Sequence, residues 1–316
     1  MTASPGTDRS ILLVTPCRDE ADHIDSTIET VANQTLRPTL WIIVDDGSTD
    51  DTPQQLAAAQ QRFEWISVVP RVSPRRNVGA GVVEAFREGL SHADLTRFAY
   101  ICKLDADLEL PPHYFERVVQ EMEADPTLGN FSGKVWTRLP DGRVVPEPMG
   151  NENAIGAAKF YRTACYKDIG GFVPAAGWDG IDGHMCRLKG WRARSEDRED
   201  LRIVHRRLMG SSQKGVLHGR ARWGRAKWFM GSTAVYMLAV ATYRIKDRPF
   251  LLASMAMLVG YFRGRFGSTA RLEDAAVIAE LRSFEWDVLL KGRAAAIRLA
   301  KGRALRERRV EYKAPA

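Results

Sequence analysis

Residues 40–52 read LWIIVDDGSTDDT. The apolar run 40–44 stops abruptly at Asp45-Asp46-Gly47-Ser48, as in a strand buried on both faces and ended by a turn. Upstream, ILLVT at 11–15 is stopped in the same way by Pro16. Between the two runs Ile24, Ile28, Val31 and Leu36 recur at near-helical spacing, so the segment predicts strand, helix, strand. Downstream the alternation continues, with a helix over 52–63, a strand over 65–69 (WISVV), a helix over 78–90 and a strand over 98–104 (FAYICKL). Alternation of this kind predicts an α/β fold with a doubly wound parallel sheet, whose ligand crevice lies at the carboxyl ends of the strands.

Past Pro111-Pro112 the pattern loosens. A helix is expected near 113–124, weak sheet character around 131–136, and irregular Gly- and Pro-rich sequence as far as Asn151. Residues 168–178 (DIGGFVPAAGW) read as a loop, 180–189 as a short helix stopped by Gly190, and 191–195 as a strand. From about 206 the chain becomes Arg-rich, interrupted by apolar segments at 228–245 and 249–262. The expected organisation is a flexible N-terminus (1–10), an α/β domain (11–205) and a basic helical region (206–316).

With 45% hydrophobic and 27% charged residues, the 316-residue chain falls in the globular range, which excludes wholesale disorder and a multi-span membrane protein. The net charge of +7 hides an asymmetry: residues 1–186 hold 17 Lys and Arg against 27 Asp and Glu, whereas 187–316 hold 29 against 12. A basic half attracts phosphates, on a pyrophosphate substrate, an anionic lipid surface or a nucleic acid. No nucleic-acid-reading module accompanies the charge, so no nucleic-acid partner is expected. Cys17, Cys102, Cys165 and Cys186 stand singly, without the paired spacing of a zinc site or a disulfide framework. The stretch from Met1 to Ser10 lacks the apolar run of a secretory leader, and the expectation is a cytoplasmic location.

The crevice rule directs attention to the residues just after each strand, and those residues are acidic. Strand one leads to Pro16-Cys17-Arg18-Asp19-Glu20, strand two to Asp45-Asp46-Gly47-Ser48-Thr49-Asp50, and the fourth to Asp105-Ala106-Asp107. Carboxylates gathered at one edge repel one another unless they share a cation. Asp105 and Asp107, two apart after a strand, suit a hard divalent ion, Mg²⁺ or Mn²⁺, that keeps coordination sites for the oxygens of a diphosphate. A solvated acidic turn is the plainer alternative. Part of the Asp45–Asp50 run serves equally to cap the helix near Thr52, while a second carboxylate there can accept hydrogen bonds from a base or ribose. The turn 77–81 (NVGAG), preceded by Arg75 and Arg76, reads as a phosphate cradle or as a solvated basic turn.

The ordered set TPCRDE, VDDGSTDDT, RNVGAG and KLDADLELP resembles the inverting glycosyltransferases of family 2 over roughly residues 10–205. The resemblance implies a GT-A type, Rossmann-like mixed sheet and a metal-dependent reaction; residues 206–316, beyond it, read from their own composition as a C-terminal helical extension for which membrane association is one reading. It implies donor contacts from Pro16, Arg18, Glu20, Asp45, Asp46, Arg76, Asn77 and Asp105, with Asp105 and Asp107 on the metal. Asp19-Glu20 stand where the family has Asn-Glu. Asp179 lies where the family's acidic pair carries its general base, although Trp178 replaces the preceding Glu, and Asp182 is the substitute. The plainer reading makes Asp179 a helix cap with Asp182 its partner. His205 and Arg206 are expected as phosphate or acceptor contacts. The family's processive synthases carry Gln-x-x-Arg-Trp, whereas this chain has Arg222-Trp223 without the Gln, which implies one sugar per acceptor.

The implied reaction moves a sugar from a UDP- or GDP-linked donor to a hydroxyl of a glycan or lipid-linked acceptor, in the synthesis of a cell-surface polysaccharide or glycolipid. Two other readings share the crevice: a sugar-phosphate nucleotidyltransferase, and a non-catalytic, membrane-bound nucleotide-sugar binding protein. The apolar segments 228–245 and 249–262 are broken by Gly231-Ser232-Thr233 and by Arg248-Pro249, so neither is a clean span. Arg220, Arg222, Arg225, Lys227, Arg263 and Arg265 flank them. With the basic tail 291–313, they predict interfacial helices on the inner face of an anionic cell membrane, or an ordinary helical subdomain.

Overall fold

The computed structural model describes residues 8–72, 79–139, 141–206, 215–246 and 249–313. The chain divides into two compact units, one of residues 1–77, 81–171 and 193–206 and the other of 78–80, 172–192 and 207–316.

In the first unit strand and helix alternate: β1 (Ile11–Cys17), α1 (Ile24–Ala32), β2 (Leu40–Asp45), α2 (Thr52–Arg62), β3 (Ile66–Pro70), α3 (Ala80–Ser91) and β4 (Tyr100–Leu104). A short strand β5 (Leu108–Glu109), α4 (Tyr114–Ala124), β6 (Leu128–Gly133), β7 (Val135–Arg138), β8 (Val144–Pro146), β9 (Ala158–Arg162) and α5 (Thr163–Asp168) come next. The helix α6 (Trp178–Leu188) belongs to the second unit, and the chain then returns to the first for β10 (Arg192–Glu196) and β11 (Ile203–His205). The second unit continues as helices only: α7 (Gly215–Met230), α8 (Ala234–Tyr243), α9 (Phe250–Phe266), α10 (Ala275–Lys291) and α11 (Arg293–Lys313).

The main sheet has seven strands in the order β10-β6-β9-β4-β1-β2-β3. Strands β4, β1, β2 and β3 are parallel, as the alternation predicts. Strand β9 runs antiparallel to both β4 and β6, so the sheet as a whole is mixed, not purely parallel. The reason is topological: no crossover helix immediately precedes β9, and without one a strand need not enter parallel to its neighbour. Ile11–Val14 and Trp41–Val44 are buried along their whole length, so the sheet is covered on both faces there, which accounts for continuous rather than alternating apolar runs. Helix α3 lies so close to the sheet that a Cβ on Gly89 would sit 2.6 Å from Val14 Cγ1.

Strand order reverses between β1 and β4, and that switch point is where an open α/β sheet leaves a crevice. Register places Cys17 beside Asp45, and Val14 beside Lys103. The acidic turns after β1, β2 and β4 therefore leave the sheet at one edge. The weak sheet character near 131–136 resolves into two strands. One of them, β7, joins a second sheet of order β5-β11-β7-β8, in which His205 lies opposite Leu108.

In the second unit, Ile181 of α6, Met230 of α7, and Val277 and Leu281 of α10 form one buried cluster. Segment 172–192 thus groups with the C-terminal helices, whereas the sequence-based division placed it in the α/β domain. Helix α6 starts two residues earlier than expected because Gly177, at φ 86°, turns the chain in the left-handed region before Trp178. Helix α10 has no counterpart in the sequence reading. Its buried face carries Glu280, Glu285 and Asp287 among Val277, Leu281 and Phe284, which blurs the apolar periodicity.

Candidate metal and donor site

Asp105 and Asp107 bend off the end of β4, and the bend is held from α1. Thr27 Oγ1 donates to Ala106 O at 2.8 Å, and Leu108 N donates back to the same hydroxyl at 3.0 Å. Asp105 N donates to Ala157 O at 2.8 Å, so the turn is pinned on both sides. Buried Lys103 reaches forward from β4 to form an ion pair with Asp105 and donates to Gly156 O at 2.9 Å. Lys103 supplies local positive charge, which lets an acidic turn persist at a buried strand end.

The third member of the cluster arrives from far along the chain. Pairing of β11 with β5 brings His205 Nε2 to 2.9 Å from Asp107 Oδ1, both side chains being buried. Burial alone would lower the His205 pKa, but the Asp107 carboxylate more than offsets it and holds the imidazole above its ordinary value. Among the described residues Asp105, Asp107 and His205 are the group of three whose ligand atoms all lie within 4.8 Å of one another. On a small divalent ion, adjacent ligands lie about 3 Å apart and opposed ones about 4 Å, and the 2.9 Å between His205 Nε2 and Asp107 Oδ1 already matches an adjacent pair. Two carboxylates and an imidazole form a hard-to-borderline donor set that Mn²⁺ accepts readily and Mg²⁺ accepts through its oxygens. The residues fit a divalent ion.

The other two acidic turns are tied to each other. Asp19, at φ 53°, occupies the left-handed region that a residue other than glycine seldom adopts. Its Oδ1 accepts from Thr49 N at 2.8 Å, and its own N–H donates to Ser48 Oγ at 2.9 Å. Glu20 N donates to Thr52 Oγ1 at 2.9 Å, Ala21 N to Asp50 Oδ2 at 3.1 Å, and Asp46 N to Cys17 O at 2.8 Å. Strain of this kind persists only where neighbours over-determine it, and it gathers at ligand sites. Asp45 Oδ1 accepts from Ser48 N at 3.0 Å, so part of the DDGSTDD run closes its own turn, in keeping with a local structural role for that run.

Asp46 forms an ion pair with Arg71, whose second nitrogen donates to Glu84 Oε2 at 2.8 Å. Burial raises the Asp46 pKa, and Arg71 opposes the rise. Sequence reasoning passed over Arg71, although it directly follows β3 and the same strand-end rule points to it. Arg76 and Asn77 lie outside the described residues. Pro16 and Arg18 stand half-buried, and Glu20 buried, where β1 leaves the sheet. Arg206 bonds to Glu109 Oε1 at 2.9 Å and to Ser26 Oγ at 2.5 Å, and its backbone N–H donates to Asp107 O at 3.2 Å. It braces the turn from behind.

Asp179 and Asp182 belong to the second unit. Gly177, not Asp179, is the cap residue of α6, and no side chain caps that end, so the capping-box alternative is not what the structure adopts. Asp179 is half-buried in the first helical turn, where a negative charge meets the positive end of the helix dipole; Asp182, one turn on, is buried. Trp178, in place of the family's Glu, packs against Phe172 with ring centroids 4.4 Å apart. The far end of α6 is clamped to α10: Arg187 Nε donates to Glu280 Oε1 at 2.5 Å, and Arg187 Nη2 to His184 Nδ1 at 2.8 Å. A guanidinium can only donate, so His184 is neutral. Burial lowers its pKa to about 4. Burial opposes the charge on Glu280, but the Arg187 guanidinium that donates to it prevails and holds its pKa at about 2.

The description Glycosyl transferase family 2 matches residues 12–166. The succinoglycan biosynthesis protein ExoA of Rhizobium meliloti (strain 1021) is 32% identical over 130 residues, 38% of this chain and 35% of that protein. The chain therefore matches about a third of the length of this relative. Among solved structures, the mannosyltransferase PcManGT from Pyrobaculum calidifontis, in complex with GDP-Man and Mn²⁺, superposes with a TM-score of 0.54 at 18% identity, covering 98% of this chain and 89% of that one. TarS 1-349 from S. aureus in complex with UDP superposes with a TM-score of 0.52 at 15% identity, covering 95% and 89%. These likenesses show the fold, which is of the GT-A type.

Proposed function

We propose, from the premise that this chain belongs to glycosyl transferase family 2 through residues 12–166, that it transfers a sugar from a nucleoside-diphosphate donor to a hydroxyl acceptor with inversion, using Mn²⁺ or Mg²⁺. The observation that carries the reading is the gathering of Asp105, Asp107 and His205 at the β1/β4 switch point.

When bound, the ion would neutralise charge on the departing diphosphate. Asp105, Asp107 and His205 would hold it. The turn after β2 faces the nucleoside end of the donor: Asp45 and Asp46 accept from base and ribose, and Arg71 fixes the Asp46 carboxylate in place. Asp179 takes the acceptor proton as the acceptor oxygen attacks the anomeric carbon, while the bond to the diphosphate breaks with its electron pair leaving on phosphate. Asp182 is the substitute for that role. The acceptor is a glycan or a lipid-linked sugar. This rests on the partial likeness to a succinoglycan biosynthesis protein and on the basic C-terminal half.

Thermal unfolding with UDP, GDP, UDP-GlcNAc and GDP-Man, each with and without Mn²⁺, tests the reading. Stabilisation by at least one nucleotide that requires the metal is expected. A nucleotide response indifferent to metal would sink it. Formation of a nucleoside-diphosphate sugar from a nucleoside triphosphate and a sugar phosphate would favour the nucleotidyltransferase instead.

A further inference from the structure

Helix α9 is apolar on two opposite sides, and among the described residues one side is buried while the other is largely exposed. On its inner side Ala253, Ser254, Met257, Gly260, Tyr261 and Gly264 are buried. There α9 crosses α7 at backbone contact, since a Cβ on Gly224 would lie 1.9 Å from Met257 O and one on Gly260 1.9 Å from Ala221 O. On its outer side Leu251, Met255, Val259 and Phe266 recur near the helical period, with Phe250 and Leu252 beside them, all exposed; Phe266 is 79% exposed. Val235 and Leu238 of α8 are exposed as well. An apolar row of this extent on a soluble surface marks an interaction site.

The chemistry of the surroundings selects the partner. From Gly215 to Phe266 the sequence carries nine Lys and Arg and a single Asp. Several of these cations lie on aromatic faces: Lys246 Nζ is 4.8 Å from the Tyr243 ring, and the Arg265 guanidinium is 5.7 Å from Trp228 and 5.8 Å from Phe266. Charged side chains are depleted from the centres of protein–protein interfaces. An anionic leaflet, by contrast, takes an apolar row into its acyl boundary and meets cations and amphipathic aromatics at headgroup level. The helix is short for a span, since its 17 residues rise about 26 Å against an about 30 Å hydrocarbon core, and no described helix is long and apolar enough to cross a membrane.

We infer that the outer face of α9, extended by Val235 and Leu238 of α8, lies in the surface of an anionic phospholipid leaflet, with α7 holding α9 from the protein side. The sequence pointed to an anionic surface for the whole basic half; the structure assigns the contact to one face. The inference does not depend on the reaction proposed above, because lipid binding is measured with no donor or acceptor present.

Flotation of the full chain with vesicles of phosphatidylcholine, with and without about 30 mol% phosphatidylglycerol, tests it at roughly 0.15 M salt. Binding to the anionic vesicles at least about tenfold stronger than to neutral ones is expected, with a similar loss in the double variant Leu251→Glu, Met255→Glu. Arg263→Glu with Arg265→Glu should remove the preference for phosphatidylglycerol. If the double variant melts lower than wild type, Phe266→Glu provides the same reading at the most exposed side chain of the row. Failure of the wild type to float, undiminished binding by the apolar variants, or a wild-type dimer in solution that these variants dissociate would overturn the inference.

Discussion

The two units gather acidic side chains in opposite ways. In the first, the carboxylates stand on turns at strand ends, and each is placed by the strand directly before it. In the second, Asp179 and Asp182 stand on a helix held by residues about a hundred positions later, through Arg187 and Glu280. The first arrangement comes from local sequence plus one topological rule. The second requires a tertiary partner that no local pattern announces. A site of the first kind should fail by losing its ligand, and one of the second kind by losing its chemistry while the ligand stays.

The sharpest way to separate the two is Asp107→Asn. It should abolish metal-dependent nucleotide stabilisation and cut transfer on the order of 10⁴-fold, because several kcal/mol of charge stabilisation depend on the ion. Melting and radiolabelled transfer report both quantities. Asp179→Asn should lower transfer about 10³-fold, within the range for a lost general base, and leave the metal-dependent nucleotide shift intact. Loss of the shift in that variant would erase the distinction between the units; retained transfer would pass the role to Asp182. A smaller effect is expected at Arg71→Ala, which frees the Asp46 carboxylate: the donor KM should rise about tenfold, roughly one charge-assisted hydrogen bond, with kcat little changed.

The smallest effect is a loss of stability of the second unit as pH falls. His184 is depressed from 6.5 to about 4, so the unfolded chain takes up its proton first as pH falls, and the stability due to neutral His184 declines from about pH 6.5 downward. Glu280 is depressed from 4.5 to about 2, and its contribution, complete above 4.5, is lost as pH falls toward 2. Hydrogen exchange in α6 and α10 should therefore accelerate a few-fold between pH 7 and 5, after correction for the intrinsic rate, while β1 and β4 stay protected. Equal acceleration in both units would contradict this assignment.

Legibility in the sequence divides along the same line. The strands β1, β2 and β4 were readable because burial on both faces leaves continuous apolar runs, and Asp105 and Asp107 because a strand end has a fixed meaning in this architecture. His205 was legible only as a phosphate or acceptor contact, not as a member of the metal cluster. What makes it a candidate ligand is the pairing of β11 with β5, which brings it to Asp107 across a separation of 98 residues that no spacing encodes. Arg71 lay within reach of the strand-end rule, which was applied to acidic residues alone. The buried carboxylates of α10 hid an entire helix from a search for apolar periodicity, and with it the clamp on α6.

The central claim is that Asp105, Asp107 and His205 together hold a divalent ion. Electron spin echo spectroscopy of Mn²⁺ bound to the wild type in the presence of nucleotide should show coupling to an imidazole nitrogen. That coupling should vanish in His205→Ala, with weaker metal affinity. A spectrum without nitrogen coupling, or one unchanged by His205→Ala, would contradict the account.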